Sequence, residues 1–440
     1  MALSGLTSWE VRTTGDDTNG GGFVFGSSGT DWSKQNTAQY SVTDAVTNGT
    51  TTITSATANF GTDVVGNILY IAGGTGAITA GWYQITSRTN ATTIVVDRST
   101  GLTTGTGATL KIGGALATPG NAASIAVSGN KIWIQTGTYT YTTTTAGAGG
   151  PVNVSGKTYL EIEGYAVTRG DLGTPPTLKA GVGLTNFVLV EFGGSSGNSR
   201  CAINIKVDGS SNTGTTGFAT AQNLCIKCVA INCTTAGYNN VGCCNCYANN
   251  CGTGFLGITF GEYCFAKSCT TGFGLGSNCF LFGCIASGGT TSFLINGTGF
   301  QGSLCMNCIA YAPSGVGFSD TIGQRHFILI NCVAISCTWG ANFFSRAVIR
   351  KFAHYNCSSG AINNGTSSFY YQTMGDATIA LTGNPFVDPA NDNFALNNTV
   401  GAGRSLKSIG MESSIAQGAT ASYMDIGAAQ IQRSERSRTF

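Results

Sequence analysis

The chain has 440 residues, 65 of them Gly, with 10% charged residues, 17 Cys and a formal net charge of +2. A balance so near neutral, with no basic patch in the body of the chain, argues against nucleic-acid binding as the main task, and no run approaches the roughly 18 apolar residues of a membrane span. Abundant Gly, Thr, Ser and Asn disfavour helix, and no stretch sustains an apolar stripe at helical period, so the class expected is all-β.

Residues 1–45 are rich in Gly, Thr and Asp, include Gly20, Gly21 and Gly22 in a row, and lack an apolar period, which predicts an extended N-terminal arm. The opening, MALSGLTSWEVRTTGDD, has neither the basic nor the apolar region of a signal peptide, so cytoplasmic synthesis is expected. Asp16 and Asp17 could hold a calcium ion, although a solvated turn is the plainer account. Residues 46–115 carry the runs TTITSAT, GNILYIAG, GWYQITS, TTIVVDRS and ATLKIGG between Gly/Thr turns, which reads as a small β-domain or an atypical first set of coils. From Gly113 to Thr140 the chain shows a short Ala-rich stretch, a turn at Gly129-Asn130 and a strand ending in GTYT. A brief amphipathic helix there would cover the open end of a stacked array.

From Cys228 a phrase recurs at spacings of 18 to 24 residues: Cys, a bulky apolar residue, Ala, two variable residues, often a second Cys, then a Gly-aromatic pair. The copies are CVAINCTTAGY, CYANNCGTGF, CFAKSCTTGF, CIASGGTTSF, CIAYAPSGVGF and CVAISCTWGANF, with a degenerate FAHYNCSSGAI from Phe352. One such unit cannot bury its own apolar face and needs neighbours above and below. Every copy runs in the same sense, which selects a parallel β-helix, placed at residues 116–395, whose coils rise by about 4.8 Å each. Residues 396–440 would form a C-terminal cap and a basic tail.

Equivalent residues then form vertical columns. The lead thiols, Cys228, Cys246, Cys264, Cys284, Cys308 and Cys332, are expected inside. The same strand parity places Ile226, Cys244, Glu262, Phe282, Met306 and Ile330, two before, and Ala230, Ala248, Ala266, Ala286, Ala310 and Ala334, two after, on that inward face. The rings of Tyr238, Phe255, Phe273, Phe293, Phe318 and Phe343 are expected to stack in another corner. On the opposite parity, Val229, Tyr247, Phe265, Ile285, Ile309 and Val333 make an apolar stripe, either turned inward by a bend or covered by another copy of the chain.

The cysteines admit three readings. Disulfides fit poorly with an odd number of Cys that follow the repeat register. Metal binding would use the Cys225-x-x-Cys228 and Cys305-x-x-Cys308 spacings or the crowded Cys243, Cys244 and Cys246, but no second pair stands at ribbon spacing and the only histidines are His326 and His354. A ladder of buried free thiols acting as dense apolar filler is favoured, and it suits a reducing compartment. No cofactor is expected.

The segment GNKIWIQTGTYT, the N-C-x-A and G-F coils, and the ending NPFVDPANDNFALNN with SYMDIGAAQIQ resemble right-handed parallel β-helix proteins of the pectate-lyase-like superfamily, in particular the β-helix proteins of tailed phages and some environmental bacteria. SWEVRTTGDDTNGGGF is similar to the start of such phage chains. The resemblance covers most of the chain and implies a fold more than an activity, since this superfamily holds lyases, hydrolases, tailspikes, adhesins and inert scaffolds.

Polysaccharide cleavage on such a scaffold needs paired carboxylates roughly 5 to 10 Å apart on one groove, or carboxylate-bound calcium beside a base. Glu161 and Glu163 in YLEIEGY could share a face, with Asp171 following, but alternating charge outside an early coil is plainer. Glu262 stands alone between Gly209 and Ser319, and Asp376, Asp388 and Asp392 sit among Asn and Pro turns, where Asx turns are usual. No catalytic residue is expected, and Arg433, Arg436 and Arg438 read as a solvated basic tail. The resemblance therefore implies a non-catalytic virion structural protein of a tailed phage, a homotrimeric head decoration protein on the virion surface, anchored on coat or tail proteins through the arm. The alternative is a tailspike or tail-fibre adhesin that binds, or cleaves, host surface polysaccharide.

Overall fold

The computed structural model describes residues 3–101, 104–193, 200–219, 223–295, 303–320, 327–343, 347–364 and 378–407. The chain divides into two compact units, Met1–Asn212 and Thr213–Phe440. Parallel strands stacked in register dominate both, and the fold is a parallel β-helix.

In the first unit, Thr7–Val11, Lys131–Gln135, Glu161–Tyr165 and Cys201–Ile203 pair in parallel, with Trp9 beside Ile132, Ile132 beside Ile162 and Ile162 beside Ala202. A second parallel sheet holds Thr138–Tyr141, Thr177–Ala180 and Lys206–Asp208, and Val152–Asn153 pairs with Val188–Glu191. In KIWIQ, Ile132 and Ile134 are buried and the other three residues half-buried, the period of two that a one-sided strand requires.

Residues 1–45 depart from the expected arm. Thr7–Val11 is itself a strand of the parallel sheet, with Trp9 and Val11 fully buried, and Gly22–Val24 folds back on it antiparallel. The Gly and Asp that suggested an arm build turns instead. Asp16 accepts from the Thr18 N–H and pairs with Lys111 at 3.0 Å, while Asp17 accepts from the N–H groups of Ala117 and Thr118. Both carboxylates are thus bound within the chain.

The last residues of the expected arm open a small barrel. Tyr40–Asn48, Thr52–Thr54, Thr93–Val96, Gly81–Asn90, Ile68–Ile71 and Thr104–Ile112 follow one another around it, every pairing antiparallel, and the last strand pairs with the first. Ile53, Leu69, Ile85, Ile94 and Leu110 fill it. The Ala-rich stretch forms the short helix Pro119–Ile125, started by the Thr118 hydroxyl, which accepts from the Asn121 N–H, and by Pro119 in the first turn. It packs on Thr7–Val11 and Lys131–Gln135.

In the second unit each regular coil has three short strands, for instance Leu224–Ile226, Val229–Ile231 and Ala236–Asn239. Each meets its counterpart one coil on, with Cys225 opposite Cys243, Ala230 opposite Ala248 and Tyr238 opposite Phe255. The Ala column continues in register through Ala266, Ala286, Ala310 and Ala334.

Corners come from single residues in the left-handed region. Lys227, Asn245, Tyr263, Gly283, Asn307 and Asn331, each just before a lead Cys, have φ between 50° and 63°. Asn and Gly enter this region at least cost, which explains their abundance there. The corner N–H groups still bond to the next coil, Lys227 to the Cys244 carbonyl at 3.0 Å and Asn245 to the Glu262 carbonyl at 2.9 Å.

A left-handed corner interrupts strand alternation, and this corrects one expected column. Ile226, Cys244, Glu262, Phe282, Met306 and Ile330 are half-buried, whereas the residues one place earlier, Cys225, Cys243, Leu281, Cys305 and Leu329, are fully buried. Parity therefore changes between the position two before the lead Cys and the lead Cys itself, and Glu262 does not enter the core.

The Ala column faces the Gly of the Gly-aromatic pair. A Cβ on Gly254 would lie 2.6 Å from the Gly272 carbonyl oxygen and 3.0 Å from the Ala266 Cβ. A Cβ on Gly237 or Gly317 would likewise lie 3.2 Å from the Cβ of Ala230 or Ala310. Small residues recur in both columns because the two walls nearly touch.

Gly254→Ala should accordingly cost about 1–3 kcal/mol of stability in denaturant titration through overpacking. Gly242→Ala, whose Cβ would meet nothing closer than 3.4 Å, should stay within about 0.5 kcal/mol of the parent.

Candidate functional site

Three sets of side chains qualify as candidates: the ladders of the second unit, the apolar stripe beside them, and a carboxylate–cation cluster of the first unit.

The six lead thiols stand in one column and are at most 2% exposed. Each Sγ donates to the carbonyl two residues back, as Cys228 does to Ile226 at 3.4 Å, and from Cys246 onward also contacts a carbonyl of the preceding coil, as Cys332 does with Cys305 at 3.3 Å. All 17 cysteines are free thiols. Burial pushes the Cys264 and Cys284 thiols far up, so they stay protonated and keep donating. Among the described residues no group of three or more His, Cys, Asp and Glu is arranged to hold a metal ion.

The aromatic ladder differs from expectation at both ends. Tyr238, Phe255, Phe273, Phe293 and Phe318 stack nearly parallel, with centroids 4.7 to 4.9 Å apart. Phe218 extends the stack below Tyr238 at 5.1 Å. It stands in a Gly-Phe pair without a lead Cys, so the repeat phrase passes over it. Phe343 is not part of the ladder: in WGANF the residue opposite Phe318 is Ala341, and the Phe343 ring lies edge-on to Phe327 at 5.3 Å. The vacated face of Phe318 is covered edge-on at 6.0 Å by Phe352, which occupies the lead-Cys position of the degenerate copy. A missing ring in one column is thus filled from another.

The stripe is covered by the chain itself. Val229 and Ala230 alternate on one strand, so the stripe lies on the side opposite the Ala–Gly contact. Phe265, Ile285, Ile309 and Val333, with Tyr247 at the margin, join one apolar cluster with Leu381, Phe386, Phe394 and Leu406. Phe386 and Phe394 belong to the antiparallel pair Phe386–Asp388 and Asn393–Leu396, Leu406 to the short helix Gly403–Leu406, and Leu381 directly follows the strand Thr378–Ala380. Lys267 fixes the pair by a 2.7 Å ion pair with Asp392. Neither expected cover, an inward bend nor a second copy, is needed for these residues. The described part of the expected C-terminal cap thus lies along a flank of the sheet.

The first-unit cluster forms on the outer face of the parallel sheet, where register places Glu10 beside Trp133 and Trp133 beside Glu163. Lys131 bridges Glu161 and Glu163, at 2.6 Å from the latter, and its ammonium lies 3.7 Å from the centre of the Trp133 ring. Glu10, with no exposed side-chain surface, receives Arg12 at 2.8 Å, Arg169 at 2.7 Å and the Tyr165 hydroxyl. Arg169 also binds Asp31 at 2.9 Å and the Ser33 hydroxyl at 2.8 Å. Asp171 stands apart. Burial alone would raise its pKa, but N–H groups of Ala166, Gly173, Thr168 and Val167 hold its carboxyl well below the ordinary range.

Burial raises the Glu163 carboxyl above its ordinary value. Lys131 opposes the rise and a hydrogen bond shared with Glu161 adds to it. Such a pair could pass a proton, but one oxygen of each carboxylate, Oε1 of Glu161 and Oε2 of Glu163, is already taken by the Lys131 ammonium. Sequence reasoning found Glu161 and Glu163 and missed Glu10, Arg12 and Arg169: Arg12 stands two residues from Glu10, but Arg169 and Tyr165 reach Glu10 from 159 and 155 residues along the chain and leave no local pattern.

Of the remaining acidic candidates, Asp388 accepts from the Asn391 side chain at 2.8 Å in a turn, and Glu262 is half-buried on the outer side of its strand. Asp376, His326, Arg433, Arg436 and Arg438 lie outside the described residues. No helix among the described residues is long and apolar enough to cross a membrane.

No family model and no curated protein matches the chain. Among solved structures, it is similar to ORF18 of Geobacillus virus E2, at 12% identity and TM-score 0.33, over 60% of this chain and 57% of that one. It is similar to the catalytic unit of a thermostable GH87 alpha-1,3-glucanase from Streptomyces thermodiastaticus, at 10% identity and TM-score 0.33, over 78% and 88%. The mannuronan C-5 epimerase AlgE4 A-module of Azotobacter vinelandii matches at 10% identity and TM-score 0.31, over 59% and 92%. The chain spans little more than half the length of the virus protein. At these scores the likenesses carry no functional argument, and the parallel β-helix rests on the strand register.

Phe386→Asp combined with Phe394→Asp should undock the C-terminal segment and bare the stripe. Limited proteolysis should then cut within residues 381–407, and binding of an apolar dye should rise, while the parent resists both. For Glu163, a raised folded-state pKa means that the folded protein holds the proton more tightly than the unfolded chain. The resulting stability is present below the ordinary carboxylate range and lost as pH rises through the folded value. Glu163→Gln lacks that loss, so its thermal stability relative to the parent should improve from about pH 4 to about pH 7.

Proposed function

We propose that this chain is a non-catalytic structural protein of a tailed-phage virion, a homotrimer that decorates the head shell. The observation that carries the reading is the closure of the outer carboxylates on the chain's own groups. Glu10, Glu161 and Glu163 are held by Arg12, Arg169 and Lys131, and Asp171 by backbone N–H groups. A surface spent on internal ion pairs suits a rigid scaffold better than a cleavage groove, which must leave two carboxylates free to meet a substrate.

Anchoring through a free arm loses its support, since the start of the chain lies in the sheet. Leu6 and Phe25, 63% and 77% exposed and joined by a backbone hydrogen bond of 3.1 Å, offer an apolar patch for a coat or tail protein in its place. Free thiols throughout suit assembly in a reducing host cytoplasm.

In purified particles a decoration protein should give a gel band of the same order as the coat protein's, and Leu6→Asp with Phe25→Asp should deplete it. A faint band, together with release of reducing sugar from host polysaccharide that Glu161→Gln plus Glu163→Gln abolishes, would replace this reading by the tailspike one.

A further inference from the structure

We propose that Cys337 and Cys357 are a redox pair, closed to an inter-coil disulfide by a low-molecular-weight disulfide, with His354 positioning the Cys357 thiol. Five places after the lead position runs a second thiol column: Cys233, Cys251 and Cys269 in three successive coils, then Gly289 and Pro313, then Cys337 and Cys357. The last two are consequently an isolated couple.

Register sets them face to face across one coil. Ala334 lies opposite His354 and Ile335 opposite Tyr355, and the Ser358 N–H reaches the Cys337 carbonyl at 2.9 Å. The Cys357 Sγ lies 3.8 Å from the Ala334 carbonyl of the preceding coil. Each thiol donates to the carbonyl two residues back, Cys337 to Ile335 at 3.4 Å and Cys357 to Tyr355 at 3.7 Å, so the two occupy the same place in successive coils, and His354 is the register partner of Ala334, whose carbonyl the Cys357 Sγ approaches. Neighbouring strands about 4.8 Å apart bring Cα atoms within the roughly 4.4–6.8 Å that a disulfide spans.

Accessibility singles out this couple. Cys337 is 3% exposed but Cys357 is half-buried, whereas Cys233, Cys251, Cys269 and the lead column are sealed. Cys201 and Cys244 are also half-buried, but Cys201 stands opposite Glu161, and Cys244 lies between Ile226 and Glu262, neither of them a thiol. Burial and the Glu262 charge further push the Cys244 thiol up to about 11. At Cys357 the balance is opposite: the neighbouring Cys337 thiol and then His354 pull its thiol below the ordinary value against the effect of burial. Thiolate character and access are what exchange requires.

The exchange balances without another electron acceptor. The Cys357 thiolate attacks one sulfur of the small disulfide, forming a mixed disulfide and expelling one small thiolate, which takes up a proton. Cys337 then loses its proton and attacks the Cys357 sulfur, forming the protein disulfide and expelling the second small thiol. Two protein thiols and one small disulfide become one protein disulfide and two small thiols. The bond would tie Phe352–Tyr355 to the coil before it, where Ile335, Ala353 and Tyr355 meet the C-terminal segment. It would close once the protein leaves a reducing compartment, and it does not depend on the virion reading.

The full chain, treated natively with glutathione disulfide, then acid-quenched, denatured and alkylated, should lose two of its 17 thiols and yield a peptide linking Cys337 to Cys357. Cys337→Ser should stop at a glutathione adduct on Cys357, and Cys357→Ser should lose no thiol from the couple. His354→Gln should move the pH dependence of the exchange rate to higher pH. Retention of all thiols by the parent, a linkage between other cysteines, or loss of two thiols in Cys337→Ser would each overturn the proposal.

Discussion

In the regular columns of the second unit, core side chains lie beside their equivalents in the adjacent coil, and this constraint governs the rest. At a spacing of about 4.8 Å only groups that tolerate their own likeness can form a column. Rings do so by stacking, with adjacent planes within 8° of each other from Phe218 to Phe318, each contact adding about 0.5–1.5 kcal/mol beyond burial. Thiols do so by donating to carbonyls, and Ala and Gly by being small. Like charges one above another would repel, which accounts for a chain with only 10% charged residues.

The columns also show how departures are absorbed. Where Ala341 replaces a ring, Phe352 replaces a lead thiol and fills the space. Where Ser292 replaces a Gly facing the Ala column, its hydroxyl is fully buried without a hydrogen-bond partner, a local cost that the fold carries. Such coupled exchanges are what close packing demands, because a void or an excess of one methyl group is felt by its neighbours.

Outside the core, the described surface is largely occupied by its own chain. The C-terminal strand pair lies on the apolar stripe, and the Glu10 and Glu163 carboxylates are held by Arg and Lys. The half-buried Cys357 is an exception, a thiol of the ladder system reaching toward solvent where the regular repeat ends.

The sequence alone determined the strand class, the period and the lead-Cys, Ala and central aromatic columns, because self-similarity at a fixed spacing dictates stacking whatever the handedness of the coil. It misjudged the column two before the lead Cys and the place of Phe343. Both depend on a left-handed corner or on local register, which a residue count cannot locate. Only the tertiary structure decided that residues 7–11 join the sheet, that residues 381–406 cover the stripe, and that Glu10 meets Arg169. Those contacts join residues far apart in the chain, and pairs that do not recur leave no periodic trace for a reader of the sequence to follow.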